Sequence, residues 1–424
     1  MNHADSFCTS VLAVPWSVAD GTHYRPRFRP AWTARNHGGV RSQRANAEWT
    51  GAWAKSGLAY LTGPPDGAPD FSRACVLERA QRIAPDAATL LTGRAGLLGL
   101  TRGGRVSAGG ATRLLECRDG WCAITLSRPD DVAALSALLC DDDVPDDPWP
   151  VLRRWAERLP MAEIVERAEL LDIPAAALGE ATAAAPVRRR ISAPAPARPA
   201  AGLLVADLSS LWAGPLSGYL LARAGATVIK VESPRRPDGT RAGEHAFFDW
   251  INAGKLSCCL DFDRQADELR ELLTLADIVI ESSRPDGLLR RHLGPDDLRS
   301  RAGRIWVRIR GHDSRRPAFG DDAAVAGGLV GRGPVFCGDA IADPLTGLEV
   351  FRSVTESLSR GGGELIEVCM AAVAATYAAL PTGPAVLELP APAPSAPPVV
   401  GKAAALGADN DAVRNLVAKR RCPC

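Results

Sequence analysis

Along residues 113–126, RLLECRDGWCAITL, apolar positions recur at the two-residue period of a strand, interrupted once by an Asp-Gly pair, and this predicts a hairpin. The period then lengthens. DDVAALSALLC predicts a helix capped by Asp130 or Asp131, and PWPVLRRWAERL and MAEIVERAELLD predict two more, ending at IPAAALGE. Residues 181–202, ATAAAPVRRRISAPAPARPAAG, carry Ala, Pro and Arg without a hydrophobic period, a linker composition that marks a boundary.

Beyond it, short β-rich runs alternate with helical ones. GLLVADL, TVIKVESP, KLSCCLDF, DIVIES and RIWVRIRG read as strands, and PLSGYLLARAG, closed by Gly225, DRQADELRELLTLA and PDGLLRRHLG read as helices between them. This alternation predicts an α/β fold: a doubly wound, mostly parallel, Rossmann-like sheet in a large domain, with a smaller α+β domain before it in the chain. The helix LTGLEVFRSVTESLSRGGG, the run ELIEVCMAAVAATYAALP, the Pro-Ala stretch PAPAPSAPP and a short helix DNDAVRNLVAKRR follow. The expected division is an irregular N-terminal arm (1–45), a small domain (46–185), a Pro/Ala linker (186–201), the large domain (202–385) and a Pro-rich linker with a C-terminal helix (386–424).

Composition narrows the function classes. The 424 residues are 46% hydrophobic and 23% charged, ordinary for globular domains, and long enough for more than one core. A net charge of +1 leaves no overall field to attract nucleic acid or an anionic membrane, so an anionic ligand has to be held locally. No apolar run is long enough to span a bilayer, and the N-terminal MNHADSFCTSVLAVPWSVADG has no basic region ahead of its apolar patch; a cytoplasmic protein is expected. The 11 cysteines lack the paired spacing of a zinc site or a disulfide framework and read as reduced core residues, with no metal site.

An open parallel sheet binds ligands at the carboxyl ends of its strands. The loops there are SSLWAGPLSG, ESPRRPDGTR, ESSRPDG and GHDSRRP. A nicotinamide fingerprint is absent, because WAGPLSG offers only Gly214 and Gly218, although Glu232 ends the second strand where a ribose-binding acid would stand. Pro215 reads equally as the first residue of a helix. Arg235, Arg236, Arg241, Arg284, Arg290, Arg291, Arg315 and Arg316 lie in or near these loops. Singly each reads as a solvated surface charge; jointly they suit phosphate, for which guanidinium offers planar bidentate donors. Asp343 precedes Pro344 in ADPLTGL, and two readings stand: a helix N-cap, or a nucleophile kept ionised by the helix N-terminus. His312 reads as a loop histidine or as a general base. No G-x-S-x-G elbow supports a serine triad.

Taken together, LLVADLSSLWAGPLSGYLLARAGATVIKVESP, NAGKLSCCLDF, ADIVIESSRPDGLLRRHLG, DDAAVAGGLV and ADPLTGL resemble the class III CoA-transferase family (CaiB/BaiF type), which includes formyl-CoA and carnitine CoA-transferases and the related α-methylacyl-CoA racemases. The resemblance implies an acyl-CoA substrate, a carboxylic acid acceptor, no cofactor beyond the CoA thioester, and a homodimer. It places CoA contacts at Leu211, Trp212, Lys230, Asn252, Lys255, Ser283, Arg284 and Arg290. In the transferases the aspartate at the position of Asp343 forms an acyl anhydride and then an aspartyl-CoA thioester, and backbone N–H groups near Thr346 and Gly347 are expected to face the thioester oxygen.

The racemases pair that aspartate with a histidine, and GHD at 311–313 looks like their motif, so a racemase or epimerase using His312 and Asp343 is the alternative. SRRPAFGDDAAVAGGLV looks more like the transferase layout. Departures from the family pattern are SSRPD at 282–286 in place of Asn-Phe-Arg-Pro-Gly and NAGK at 252–255 in place of Asn-Arg-Gly-Lys. Segment order also departs. GATRLLECRDGWCAITLSRPDDVAAL and ERAELLDIPAAAL look like the family's small domain, which ordinarily follows the catalytic aspartate, and AEWTGAWAKSGLAYLTG resembles the loop before that aspartate without a nucleophile after it. This order implies a partial first copy fused ahead of a second copy that holds the one nucleophile. A catalytically silent CoA-binding scaffold is the third reading.

Overall fold

The structure, a computed structural model, describes residues 40–282, 286–398 and 400–421. The arm expected over 1–45 lies outside the described residues up to position 39, and from Val40 the chain is helical. Four helices come first: α1 (Val40–Lys55), α2 (Leu58–Leu61), α3 (Ala74–Gln81) and α4 (Ala87–Leu98). α4, AATLLTGRAGLL, is apolar on most of its circumference and ends at Gly99 with φ +64°, the left-handed conformation that closes a helix cheaply only with glycine. Trp53, Leu58, Leu77, Leu90 and Leu91 are buried in the same core as the helices of the large sheet.

Next, β1 (Thr112–Cys117) and β2 (Gly120–Thr125) form the expected hairpin, and β3 (Ala175–Ala177) joins β2 where a helix end was expected. Helices α5 (Pro129–Ala133), α6 (Leu135–Leu139), α7 (Trp149–Ala156) and α8 (Met161–Leu170) cover this small sheet, whose own core includes Leu115, Ile124, Leu135, Leu152 and Ile164. The helix expected over DDVAALSALLC is thus two, and neither Asp130 nor Asp131 caps it. Arg128 is the N-cap, and Asp131, at the third helical position, reaches back to accept the N–H groups of Ser127 (3.1 Å) and Arg128 (2.8 Å).

The large sheet contains β4 (Val187–Arg190), β5 (Leu204–Asp207), β6 (Thr227–Glu232), β7 (Leu256–Cys259), β8 (Ile278–Glu281) and β9 (Ile305–Arg310). A small hairpin of β10 (Val330–Gly331) and β11 (Val335–Phe336) precedes its last strand, β12 (Glu364–Cys369). The spatial order is β4-β12-β9-β8-β5-β6-β7, parallel throughout except for β4. β4 falls within the stretch read as linker. An edge strand takes its ladder from backbone groups and needs no hydrophobic period, and here its arginines hold it: Arg188 on Glu356 and Glu364, Arg189 on Asp296.

Helices α9 (Ala213–Arg223), α10 (His245–Asn252), α11 (Ala266–Leu275), α12 (Asp286–Leu289), α13 (Gly320–Ala326), α14 (Ala342–Ser359), α15 (Met370–Ala378) and α16 (Asn410–Arg421) complete the fold. Alternate strand residues enter opposite layers: Val205 and Val307 pack with α9 and α14, Leu204, Ala206 and Trp306 with α11 and α16. No helix among the described residues is long and apolar enough to cross a membrane. The strand order reverses between β5 and β8, so the loops following them part company there and leave the crevice in which such sheets hold ligands. Among the described residues, Ser210 N–H donates to Ser282 Oγ across it at 3.2 Å.

Candidate active site

Asp343 is not the N-cap of α14. The helix begins at Ala342 after Ile341, which makes Asp343 its second residue and Pro344 its third. Proline is accepted there because first-turn N–H groups have no intrahelical partner. The Asp343 N–H donates instead to Ala340 O at 2.9 Å. Gly320, the first residue of α13, turns its backbone N–H toward the Asp343 carboxyl. A Cβ at 320 would stand 2.6 Å from Asp343 Oδ2 and 2.7 Å from the carbonyl carbon of Ala340, so only glycine lets the two helix starts approach this closely.

The lowering expected from the helix N-terminus is outweighed. Burial is the largest influence on Asp343 and Asp321 the next, and with Asp339 they outweigh Arg94 and the Gly320 N–H and push the carboxyl up to about 7. The residue keeps a part exposed to solvent, so enclosure of its carboxyl is deep without being complete. Asp321 is likewise raised to about 7, by burial and then by Asp339, while accepting the Ala340 N–H at 3.0 Å. Asp339, fully buried, is raised by burial against an ion pair with Arg94 of 2.5 Å. Asp322 faces away, accepting the Phe319 N–H and the Thr125 hydroxyl, both at 2.9 Å, and burial raises it to about 7.

The residues expected to meet CoA divide into exposed and internal groups. Leu211 is exposed at the crevice with φ +69°, a conformation costing a non-glycine residue roughly 1–2 kcal/mol. Its N–H is held by Asp238 (3.1 Å), which is itself paired with Lys230 (2.8 Å). Lys230 also donates to Ser209 O, and Lys255 donates to Asp207, Pro215 O and Asn252 Oδ1 within 2.9 Å. Three bonds exhaust an ammonium group, so Lys255, buried with Asn252, shapes the loop and has no donor left for a phosphate. Trp212 is buried with Nε1 unpartnered and meets the Phe247 ring edge-on at 5.4 Å. Arg290 is exposed at the end of α12, and Ser283 and Arg284 lie outside the described residues. Of the other arginines, Arg241 closes on Glu232, Arg291 on Asp263, and Arg235 on Asp261 and Asp263.

His312 finds its partners in Arg316 and Glu180. It is buried, burial and then Arg316 lower it to about 3, and its Nδ1 faces Arg316 Nη2 at 3.2 Å. A neutral imidazole whose lone pair accepts from arginine is poorly disposed to take a proton near neutral pH. It lines a groove of about 450 Å³ with residues of α8, Glu180 and the start of α15, and Asp343 is not among the lining residues. Asp343 faces Gly320 and Asp321, whereas His312 faces Glu180 and Arg316. The sequence reading passed over Gly320, Asp321, Asp339 and Arg94. The GDD triplet at 320–322 was the available signal for two of them; for Arg94 there was none, its partner lying 245 residues away.

Residues 200–397 match CoA-transferase family III. A probable fatty acyl-CoA transferase of Mycobacterium tuberculosis, Rv3272, is 35% identical over 133 residues, which cover 29% of this chain and 34% of the relative. The succinate–glutarate CoA-transferase of Agrobacterium fabrum is 30% identical over 203 residues, 41% of this chain and 51% of the relative. A crystal structure of Rv3272 superposes with a TM-score of 0.39 at 30% identity, covering 43% of this chain and 56% of its own. The chain therefore spans about half, or less, of the length of these curated relatives. The match takes in the crevice at the switch point and Asp343 but not α1 to α4 or the small sheet, so it is residues 200–397 that are similar to CoA-transferase family III.

Proposed function

We propose that this protein moves CoA from an acyl-CoA to a carboxylic acid, with Asp343 as the nucleophile. The observation that carries the reading is the placement of Asp343: a half-buried residue at the start of α14 whose carboxyl is enclosed against the Gly320 N–H, within the family-matching segment. α14 packs directly on α9, the helix that follows the crevice loop, since a Cβ on Gly347 would lie 2.7 Å from Ala213 O. The nucleophile and the loop expected to hold CoA are thus parts of one packed unit.

The ionised carboxylate attacks the thioester carbonyl, the C–S bond breaks, CoA leaves as the thiolate, and a mixed acyl-aspartyl anhydride remains. The thiolate then attacks the aspartyl carbonyl, releasing the donor acid and leaving an aspartyl-CoA thioester. An acceptor carboxylate attacks that thioester to give a second anhydride, and the returning thiolate takes the new acyl group and frees Asp343. A carboxyl raised to about 7 is a stronger nucleophile, once ionised, than an ordinary one. Thr346 and Gly347 are the fifth and sixth residues of α14, where helix geometry commits their backbone N–H groups, so the thioester oxygen has to be met by other donors. The buried Thr346 hydroxyl and Trp212 Nε1 have no partner among the described residues and supply two.

The test is steady-state CoA transfer with succinyl-CoA and fatty acyl-CoA donors, the classes named for the relatives, against a panel of carboxylic acids. Turnover in the wild type and its loss by roughly a thousand-fold or more in Asp343→Asn is the expected result. Equal turnover by that variant would remove Asp343 from the chemistry.

A further inference from the structure

Arg94 lies on α4, outside the family-matching residues 200–397. Its guanidinium makes a 2.5 Å ion pair with the fully buried Asp339 and stands 5.9 Å from the centre of the Trp212 ring and 5.8 Å from that of Phe247. One side chain thereby touches the crevice loop after β5, helix α10, and the turn that leads into α14. It meets there a concentration of negative groups: Asp321 from α13, Asp339 from the turn and Asp343 from α14. A fourth buried carboxyl, Asp322, feels Asp321 but turns to the Phe319 N–H and the Thr125 hydroxyl, and the neutral donors on the cluster are the Gly320 N–H on Asp343 and the Ala340 N–H and Ser107 hydroxyl on Asp321. Among the described residues, Arg94 is the cation that bears on all three carboxyls.

Three carboxyls enclosed together cannot all ionise without a countercharge, and a planar guanidinium can pair with one while resting on aromatic faces, which an ammonium does less well. We infer that Arg94 is the positioning residue of this site: its ion pair to Asp339 and its contact with Trp212 fix the turn before α14 against the crevice loop, and its charge sets when Asp343 ionises. The inference rests on the reading of Asp343 as nucleophile. It makes α4 a working part of the site, so the family-matching segment alone holds the nucleophile without the group that governs it.

The experiment uses the full chain with Arg94→Gln, Arg94→Lys and Asp339→Asn, and reads two quantities. One is the pH profile of kcat/KM for CoA transfer. The other, independent of turnover, is the infrared titration of the Asp343 carboxyl, obtained as the difference between each variant and the same variant carrying Asp343→Asn. Loss of the countercharge in Arg94→Gln moves the acid limb and the titration up by about 1–3 pH units, a loss of about five-fold or more at pH 7 that largely recovers in alkali. Arg94→Lys keeps the limb near its wild-type position. Asp339→Asn removes a neighbouring negative charge and releases Arg94 toward Asp343, so the limb moves down. A residue that merely supports the fold would not shift the titration in opposite directions. An Asp343 titration in Arg94→Gln that overlays the wild type overturns the inference, as does an unmoved titration in Asp339→Asn should Arg94→Gln fail to fold. If the wild type transfers no CoA, the nucleophile reading fails on that result alone, while the infrared titration still decides whether Arg94 governs Asp343.

Discussion

At Asp343 two tendencies oppose each other: burial, Asp321 and Asp339 favour the acid, whereas Arg94 and the Gly320 N–H favour the carboxylate, and the first set prevails, holding the group at about 7. Two pH effects of opposite sign follow. Attack on a thioester needs the carboxylate, so kcat/KM rises as pH passes through 7 and levels off above it, which a pH-rate profile checks. Stability runs the other way. In the unfolded chain these carboxyls ionise near their ordinary 3.8, but in the folded chain Asp321, Asp322 and Asp343 keep their protons to about 7. Between those values the folded state binds more protons, so this contribution falls as pH rises from 3.8 to about 7 and stays low above. Asp207 and Asp238 are opposite cases: burial would raise them, but Lys255 and Lys230 hold them below the ordinary range, and the stability they add is present above 3.8 and lost as pH falls through their folded values. Calorimetry is expected to give a higher Tm at pH 5 than at pH 8, with the gap narrowed in Asp322→Asn, which keeps the packing and removes a buried charge. A variant whose gap is unchanged would contradict this assignment.

The meeting of the first turns of α13 and α14 is where elements decide the site. Gly320→Ala drives a methyl group into Asp343 Oδ2 and the Ala340 carbonyl and is expected to cost about 1–3 kcal/mol in chemical denaturation, with transfer activity falling alongside. Gly51→Ala is the control, with nothing within 4 Å of its added methyl group and a helical backbone that favours alanine; it is expected to be neutral or stabilising. Similar losses in both would show that packing at 320 is not special. These elements were unequally legible. The βαβ alternation announced β5 to β9, because buried parallel strands are short apolar runs, but not the parallel strand β12, whose residues run straight into α15 within ELIEVCMAAVAATYAALP; ADPLTGL announced a helix start at Asp343. The start was misjudged by two residues because Asp-Pro also serves inside a first turn. β4 went unseen because its side chains, VRRR, are held by ion pairs and backbone bonds rather than by an apolar period. α4 went unseen because a helix apolar on most of its circumference has little polar face to set its phase.

Across the whole molecule, the site depends on chain lying far from it. α3 and α4 cover α10, α14 and α15, and at the other end of the chain Val413 and Val417 of α16 pack into the layer that holds α11. A fragment of residues 200–397 therefore leaves both layers of the sheet with uncovered apolar surface. It is expected to unfold without a sharp transition and to bind a hydrophobic dye, whereas the full chain melts cooperatively; a sharp melt of the fragment would contradict the shared core. Such dependence could not be read from local pattern. Hydrophobic period shows that α9 and α14 each have a face to bury, and which segment covers it is settled only by contacts across hundreds of residues.

The central claim is that the Asp343 carboxyl becomes covalently bonded during turnover. Incubation with an acyl-CoA substrate and hydroxylamine, followed by intact-mass spectrometry and peptide mapping, tests it directly. Hydroxylamine cleaves an aspartyl anhydride or thioester and leaves a hydroxamate on the side chain; the account predicts that adduct at Asp343 and none in Asp343→Asn. Full turnover with no adduct at Asp343, or with one at another residue, would contradict it.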